Sequence, residues 1–306
     1  MNNQEFNYLL ERCRRVIDNV ATFYQYPDNI THLLYLILPA FIIKYQDERY
    51  ISRAFSEILV FIQDTQDKVF QASYTSVPYL EDSTYKTHKF IVLNHYENIS
   101  LMQLLDNLVH EFNHAIHSIH NEILERDDKI YIRTGLTHFI YQKTDLKPVG
   151  RLDNYTIIEE IINTKQTELI IDIINSFNQY SIADRQIQNT LYSVQKSIQD
   201  SGYHSSSYLL QSLLCRELMD NKTFISTLES LRFQGDVNDI DSWFDQITGK
   251  ENSFKRLSEI LSTTLELQLE LEKKKLFKSF TINKIKTLNQ EALEIVRLFD
   301  MNCNYR

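Results

Sequence analysis

The segment His110-Glu111-Phe112-Asn113-His114 sets two imidazoles four residues apart, with a carboxylic acid beside the first. On a helix, positions i and i+4 share one face a single turn apart, so both rings reach one metal ion. Imidazole nitrogen suits zinc, and a zinc site with one open position lowers the pKa of its water to about 7. A carboxylate to the side, here Glu111, takes the proton as water attacks a carbonyl and returns it to the leaving group. The spacing therefore points to metal-assisted hydrolysis, with Zn2+ as cofactor, His110 and His114 as ligands and Glu111 as general base.

A catalytic zinc usually has three protein ligands. One candidate is His120, which with His117 in the Gly place nearly completes the pattern HExxHxxGxxH. That arrangement requires the helix to break after the second His, whereas the helical pattern here runs on through Ile123 and Leu124. In an unbroken helix His120 lies about 15 Å along the axis from His110, so His117 and His120 are expected on the cleft wall or the surface. The other candidates are carboxylates of the following helix, in Ile157-Ile158-Glu159-Glu160-Ile161-Ile162-Asn163-Thr164. Glu160 comes 160 − 114 = 46 residues after the motif, which leaves room for a hairpin between the two helices.

The elements that must hold these residues are legible in outline. Ser100 is a good N-cap and Gln103, three residues on, completes a capping box. At about 100° per residue, Leu105, Leu108, Phe112, Ala115, Ile116 and Ile119 form one apolar stripe, with His110 and His114 on the opposite, polar front. Residues 1 to about 60 read as helices; Val69 to Tyr74 and Lys89 to Leu93 are β-prone, separated by a turn-like region from Pro78 to Thr84. Lys129 to Gln142 reads as strand and hairpin with Gly135 as bulge or turn, Pro148-Val149-Gly150 breaks the chain, and a helix follows from about Asn154 to Asn175. The remainder is helical, with loops near Ser201-Gly202, Gly235-Asp236 and Gly249.

Composition narrows the function classes. With 306 residues, five Gly and four Pro, the chain disfavours Gly-rich phosphate cradles and all-β architectures. A net charge of −9 repels phosphate backbones, so nucleic acid is not an expected partner. The basic run Lys273-Lys274-Lys275, after the acidic stretch Glu266 to Glu272, reads as the solvated face of a charged helix. Cys13, Cys215 and Cys303 show no paired spacing, and no GxSxG or P-loop occurs. The apolar segment Leu33 to Ile43 is short and carries Pro39, so a buried helix is expected there and no membrane span. With no signal-like N-terminal stretch, the expected location is cytoplasmic.

Over about residues 88 to 175 the chain resembles the gluzincin-type metallopeptidases, in which HExxH is followed on a second helix by a Glu ligand. Glu160-Ile161-Ile162-Asn163 is similar to their Glu, small or apolar, apolar, Asn or Thr stretch. The resemblance implies Glu160 as the third ligand, with Glu159 as the fallback. Many members carry an acidic residue four positions later to orient a zinc-bound His; Thr164 stands there in this chain. Arg133-Thr134-Gly135-Leu136, followed by Glu159 to Glu168, also resembles uncharacterised zincin-like proteins of low-GC Gram-positive bacteria.

The resemblance implies a peptide or protein substrate, paired in extended form with the strand before the metal helix, Phe90 to Asn94. It also implies a Tyr or His donor to the oxyanion, for which Tyr155, Tyr203 and Tyr208 are the candidates among 18 Tyr. The expected fold is α+β and mostly helical: an N-terminal helical segment over 1–65, a zincin-like core with a small mixed sheet and the active-site helix over 66–176, and a C-terminal helical subdomain over 177–306. The alternative is a zincin-fold protein that binds a partner through its C-terminal helices, Leu261 to Leu271 among them, without catalysis. Glu111 speaks against it, because a scaffold has no need of the base.

Overall fold

A computed structural model describes residues 2–63, 71–94, 96–120, 122–151, 155–201, 209–235, 237–273 and 278–304. By their contacts the residues group into two units, 1–116 with 166–205 and 117–165 with 206–306. Each is discontinuous in sequence, where the sequence reading expected three consecutive segments.

The first unit opens with helices α1 (Asn3–Tyr24), α2 (Asp28–Tyr45) and α3 (Glu48–Glu57). α2 is apolar on every side, and all residues from Leu33 to Ile42 are buried despite Pro39 inside the helix. The apolar segment is thus a core helix, and among the described residues no helix is long and apolar enough to cross a membrane. After Glu57 the run Ile58-Leu59-Val60-Phe61-Ile62 leaves the helical state, as β-branched and aromatic side chains favour, and forms β1 (Ile58–Gln63). This corrects the expectation of helix as far as residue 60.

β1 joins β2 (Ala72–Glu81) and β3 (Thr84–Asn94) in a small mixed sheet of order β1-β3-β2, with β1 parallel and β2 antiparallel to β3. The connection between β2 and β3 is only Asp82-Ser83, at φ 49° and 63°, the left-handed pair that a two-residue hairpin demands. Pro78, expected in a turn, lies within β2 instead. The Asn94 N–H donates to the Gln71 carbonyl, so the alternation of the ladder turns the backbone groups of Ala72, Tyr74, Ser76 and Pro78 away from β3. A proline at such a place removes no ladder bond, which is why an edge strand tolerates it.

The helix α4 (Leu101–Ile116) follows with its capping box formed: Gln103 N–H donates to Ser100 Oγ at 3.2 Å and Ser100 N–H to Gln103 Oε1 at 3.2 Å. Phe112 stacks on Phe55 of α3 at 4.2 Å between ring centroids.

The second unit begins with an antiparallel meander, β4 (Ile123–Arg126), β5 (Lys129–Thr134), β6 (Thr137–Gln142) and β7 (Pro148–Arg151). Ile123 and Leu124, expected to continue the metal helix, are strand residues. Gly135, at φ +57°, takes the first place of the two-residue turn between β5 and β6. Helix α5 (Thr156–Asn175) starts in this unit and its second half belongs to the first, together with α6 (Arg185–Ser201). Helices α7 (Leu209–Leu214), α8 (Arg216–Asp220), α9 (Lys222–Gln234), α10 (Val237–Thr248), α11 (Ser253–Lys273) and α12 (Lys278–Asn304) complete the second unit. Its core is aromatic, with Phe244 stacked on Phe299 at 4.6 Å and Phe224 edge-on to Phe299 at 5.3 Å. Leu261 is buried in that core, while Leu269 is exposed. Lys274 and Lys275 lie outside the described residues. The class is α+β and mostly helical, as expected.

Candidate metal centre

Leu105, Leu108, Phe112, Ala115 and Ile116 are buried, so the apolar stripe of α4 faces the core. The opposite side is only in part the open polar front that the stripe suggested: Gln103 is exposed and His110 half-buried, but the turn from Glu111 to His114 is covered. Glu111 is 8% exposed, His114 6% and Asn113 0%. The reason lies in Asn113, whose side chain is built into the fold: Tyr45 Oη donates to its Oδ1 at 3.0 Å and its Nδ2 donates to Thr167 Oγ1 at 3.3 Å. These bonds tie α4 to α2 and to the second half of α5. At the helix end, Tyr50 Oη donates to the Ile116 carbonyl at 3.1 Å and satisfies one of the acceptors that a helix C-terminus leaves over.

His110 and His114 turn their Nε2 atoms toward each other at 3.2 Å, with ring planes 72° apart. Two nitrogens each 2.0–2.1 Å from a tetrahedral zinc ion lie about 3.3 Å apart, so this geometry fits a shared ion. Glu160 completes a group: one ligand atom from each of His110, His114 and Glu160 lies within 4.8 Å of the others. The group can hold a metal ion.

The rival ligands are engaged elsewhere. Glu159 is 3% exposed; Arg232 Nη2 donates to its Oε1 and the Leu136 N–H to its Oε2 at 3.2 Å. Helix α4 does stop at Ile116, contrary to the expected continuation, but the turn that follows does not bring His120 into the group. His120 is exposed, its ring lies 5.4 Å from that of Phe233, and its carbonyl accepts from Arg133. His117, expected on the cleft wall or the surface, is fully buried.

Glu111 Oε2 accepts a hydrogen bond of 2.6 Å from the Tyr74 backbone N–H. That N–H is one of the groups β2 turns outward from its sheet, so the edge strand itself holds the carboxylate. Phe90 to Asn94 of β3 are paired on both sides, by β1 and by β2, and so offer no open edge to a substrate. The sequence did hold a signal for this, because a proline inside a β-prone run marks an edge, and Pro78 belongs to β2.

Tyr155 is buried in the second unit, where its hydroxyl donates to Asp241 Oδ2 at 2.7 Å and its ring packs 5.5 Å from Phe254. Its hydroxyl is thus committed to a core contact. Tyr203 and Tyr208 lie outside the described residues. Burial pushes the thiols of Cys13 and Cys215 up to about 12, far from the range of a nucleophilic thiolate. Tyr45, Thr167 and Tyr74, which hold the motif in place, were invisible to motif reading because they contribute two hydroxyls and a backbone N–H from distant parts of the chain, and Asn113, which the hydroxyls meet, fills a place the motif leaves open.

Comparison with family models, curated proteins and solved structures finds no match to this chain.

Proposed function

We propose that the protein is a zinc-dependent metallopeptidase, with His110, His114 and Glu160 as ligands and Glu111 as general base. The observation that carries this reading is the facing pair of Nε2 atoms 3.2 Å apart with Glu160 in the same group, beside an acid held by a strand edge. A zinc ion there would supply Lewis acidity, making water a better nucleophile at neutral pH and a carbonyl a better electrophile. The chain's own part is to orient and move protons. The Tyr74 N–H fixes the Glu111 carboxylate, which accepts a proton from the attacking water and passes it to the amine that leaves. Burial of Glu111 and His114 keeps bulk water from competing for these contacts.

Pairing of an extended peptide falls to β2 in this reading. Apart from the Tyr74 N–H, which is held by Glu111, its outward backbone groups lie along the sheet edge, and strand addition there supplies affinity through the main chain, leaving choice of sequence to side-chain pockets.

A peptide-library cleavage assay on the zinc-loaded protein tests the proposal. Cleavage is expected from the parent chain, and Glu111→Gln is expected to lower kcat by at least about a hundredfold, the scale of general-base catalysis, with zinc content unchanged. Zinc uptake without cleavage of any library member would favour the partner-binding alternative. Loss of zinc together with activity in Glu111→Gln would contradict the role given to this residue.

A further inference from the structure

Among the described residues, Arg133 and Arg232 are the two largest side chains that are completely buried, both at 0% exposure. Neither takes part in the chemistry assigned above. Arg133, on β5, donates from Nη1 to the carbonyls of His117 at 2.6 Å and Gly135 at 2.7 Å, and from Nε to the carbonyl of His120 at 3.1 Å. It also reaches the carbonyl of Arg232 at 3.3 Å. Arg232, on α9, is paired through Nη2 with Glu159 Oε1. The other oxygen of Glu159 accepts from the Leu136 N–H, and the Gly135 N–H donates to Ser118 Oγ at 2.9 Å.

These bonds converge on two short pieces of chain. One is His117 to His120, which starts three residues after His114. The other is Glu159, the residue immediately before Glu160. The β5–β6 turn is wedged between them so closely that a Cβ on Gly135 would lie 2.1 Å from Glu159 Oε1 and 2.4 Å from its Cδ. Only glycine fits, both for that space and for φ +57°. A buried carboxylate gripped by an arginine on one oxygen and a backbone N–H on the other has little rotational freedom, and the backbone that carries it is fixed with it.

We infer that Arg133, Glu159 and Arg232 are positioning residues: they set the backbone on the exit side of His114 and at Glu160, so that Glu160 reaches the ion held by the two histidines. The inference rests on the metallopeptidase reading of the site and adds to it a device that acts only through the third ligand. It also gives a use to the Arg133-to-Leu136 run and to Glu159, which that reading leaves idle. Glu159 is buried beside a ligand because it is the ligand's anchor.

The test is zinc affinity, read by competition with a chromophoric chelator, in the full chain and in Glu159→Gln, Arg232→Lys, Glu160→Ala and the double variant Glu159→Gln with Glu160→Ala. The amide of Glu159→Gln keeps the shape but turns an N–H toward either Arg232 or Leu136. Glu159→Gln and Arg232→Lys are each expected to weaken zinc about tenfold or more, the scale seen when the supports of a ligand are removed, with far-UV circular dichroism unchanged. In the Glu160→Ala background the Glu159→Gln change is expected to alter affinity less than about twofold, because coupled residues do not add. The absorption spectrum of the cobalt-loaded protein is expected to change in Arg232→Lys, which keeps the charge and serves should Glu159→Gln fold poorly. Wild-type affinity in both single variants, or the same loss with and without Glu160, would overturn the inference and leave the zinc site standing. Absence of zinc binding by the parent chain would overturn the metallopeptidase reading and the inference with it.

Discussion

His110 and His114 are brought together by helix periodicity alone, since a four-residue spacing stacks the two rings on one face. What periodicity does not specify is the direction in which the rings point. The structure does, by placing Nε2 opposite Nε2 at 3.2 Å. Glu111 is handled differently: its carboxylate is oriented by a backbone N–H from Tyr74, 37 residues earlier, a donor that among the twenty residues only proline at position 74 would remove. Burial disfavours thiolate chemistry at Cys13 and Cys215 at the same scale. It raises both thiols to about 12, so the thiolate form that reacts is scarce at pH 8. Both residues are therefore expected to resist iodoacetamide in the folded protein at pH 8 and to react once it is denatured, as mass spectrometry reads directly. Rapid native labelling of either would contradict the burial assigned to it.

The helix α4 and the edge strand β2 are the elements that turn these residues into a site. Asn113 is the joint of α4, bonded to Tyr45 of α2 and Thr167 of α5. Asn113→Leu leaves a hydroxyl at each end without this partner and is expected to destabilise the protein by about 1–3 kcal/mol, read as a lower urea midpoint. An unchanged midpoint would mean that the joint does not hold the helix. Much of α4 was legible in the sequence, because Ser100, Gln103 and the Leu105-to-Ile116 stripe report local geometry. Its end was not legible. Ile119, Ile123 and Leu124 continue a helical spacing, yet Arg133, fixed to the carbonyls of His117 and His120, holds that stretch as a turn before β4. The same limit applied to β1, where Ile58 to Ile62 continues an apolar helical pattern by spacing and becomes a strand by pairing with β3. Spacing records which residues face a core; it does not record which partner is waiting. Pro78 shows the reverse case, a residue read as a turn that in fact marks a sheet edge.

At the scale of the whole molecule, the class was legible from composition, since few Gly and Pro and many Leu, Ile, Glu and Lys favour helix. The discontinuous grouping of the chain into two units was not, because it depends on α5 serving both, and a continuous helix leaves no mark in sequence where its allegiance changes. A ligand that binds only the folded chain stabilises it by RT ln(1 + [L]/Kd), about 2.7 kcal/mol at a hundred times Kd. Zinc at that excess is therefore expected to raise Tm by several degrees over protein held in chelator, and equal melting curves would count against a site formed by folding. The most direct measurement is the stoichiometry of zinc on metal-stripped protein by titration calorimetry, made in parallel on His114→Ala and Glu160→Ala. One equivalent per chain in the parent protein, lost in His114→Ala and markedly weaker in Glu160→Ala, is the predicted result. No stoichiometric binding by the parent chain, or binding that survives both substitutions unchanged, would contradict the assignment of this cluster as a metal centre.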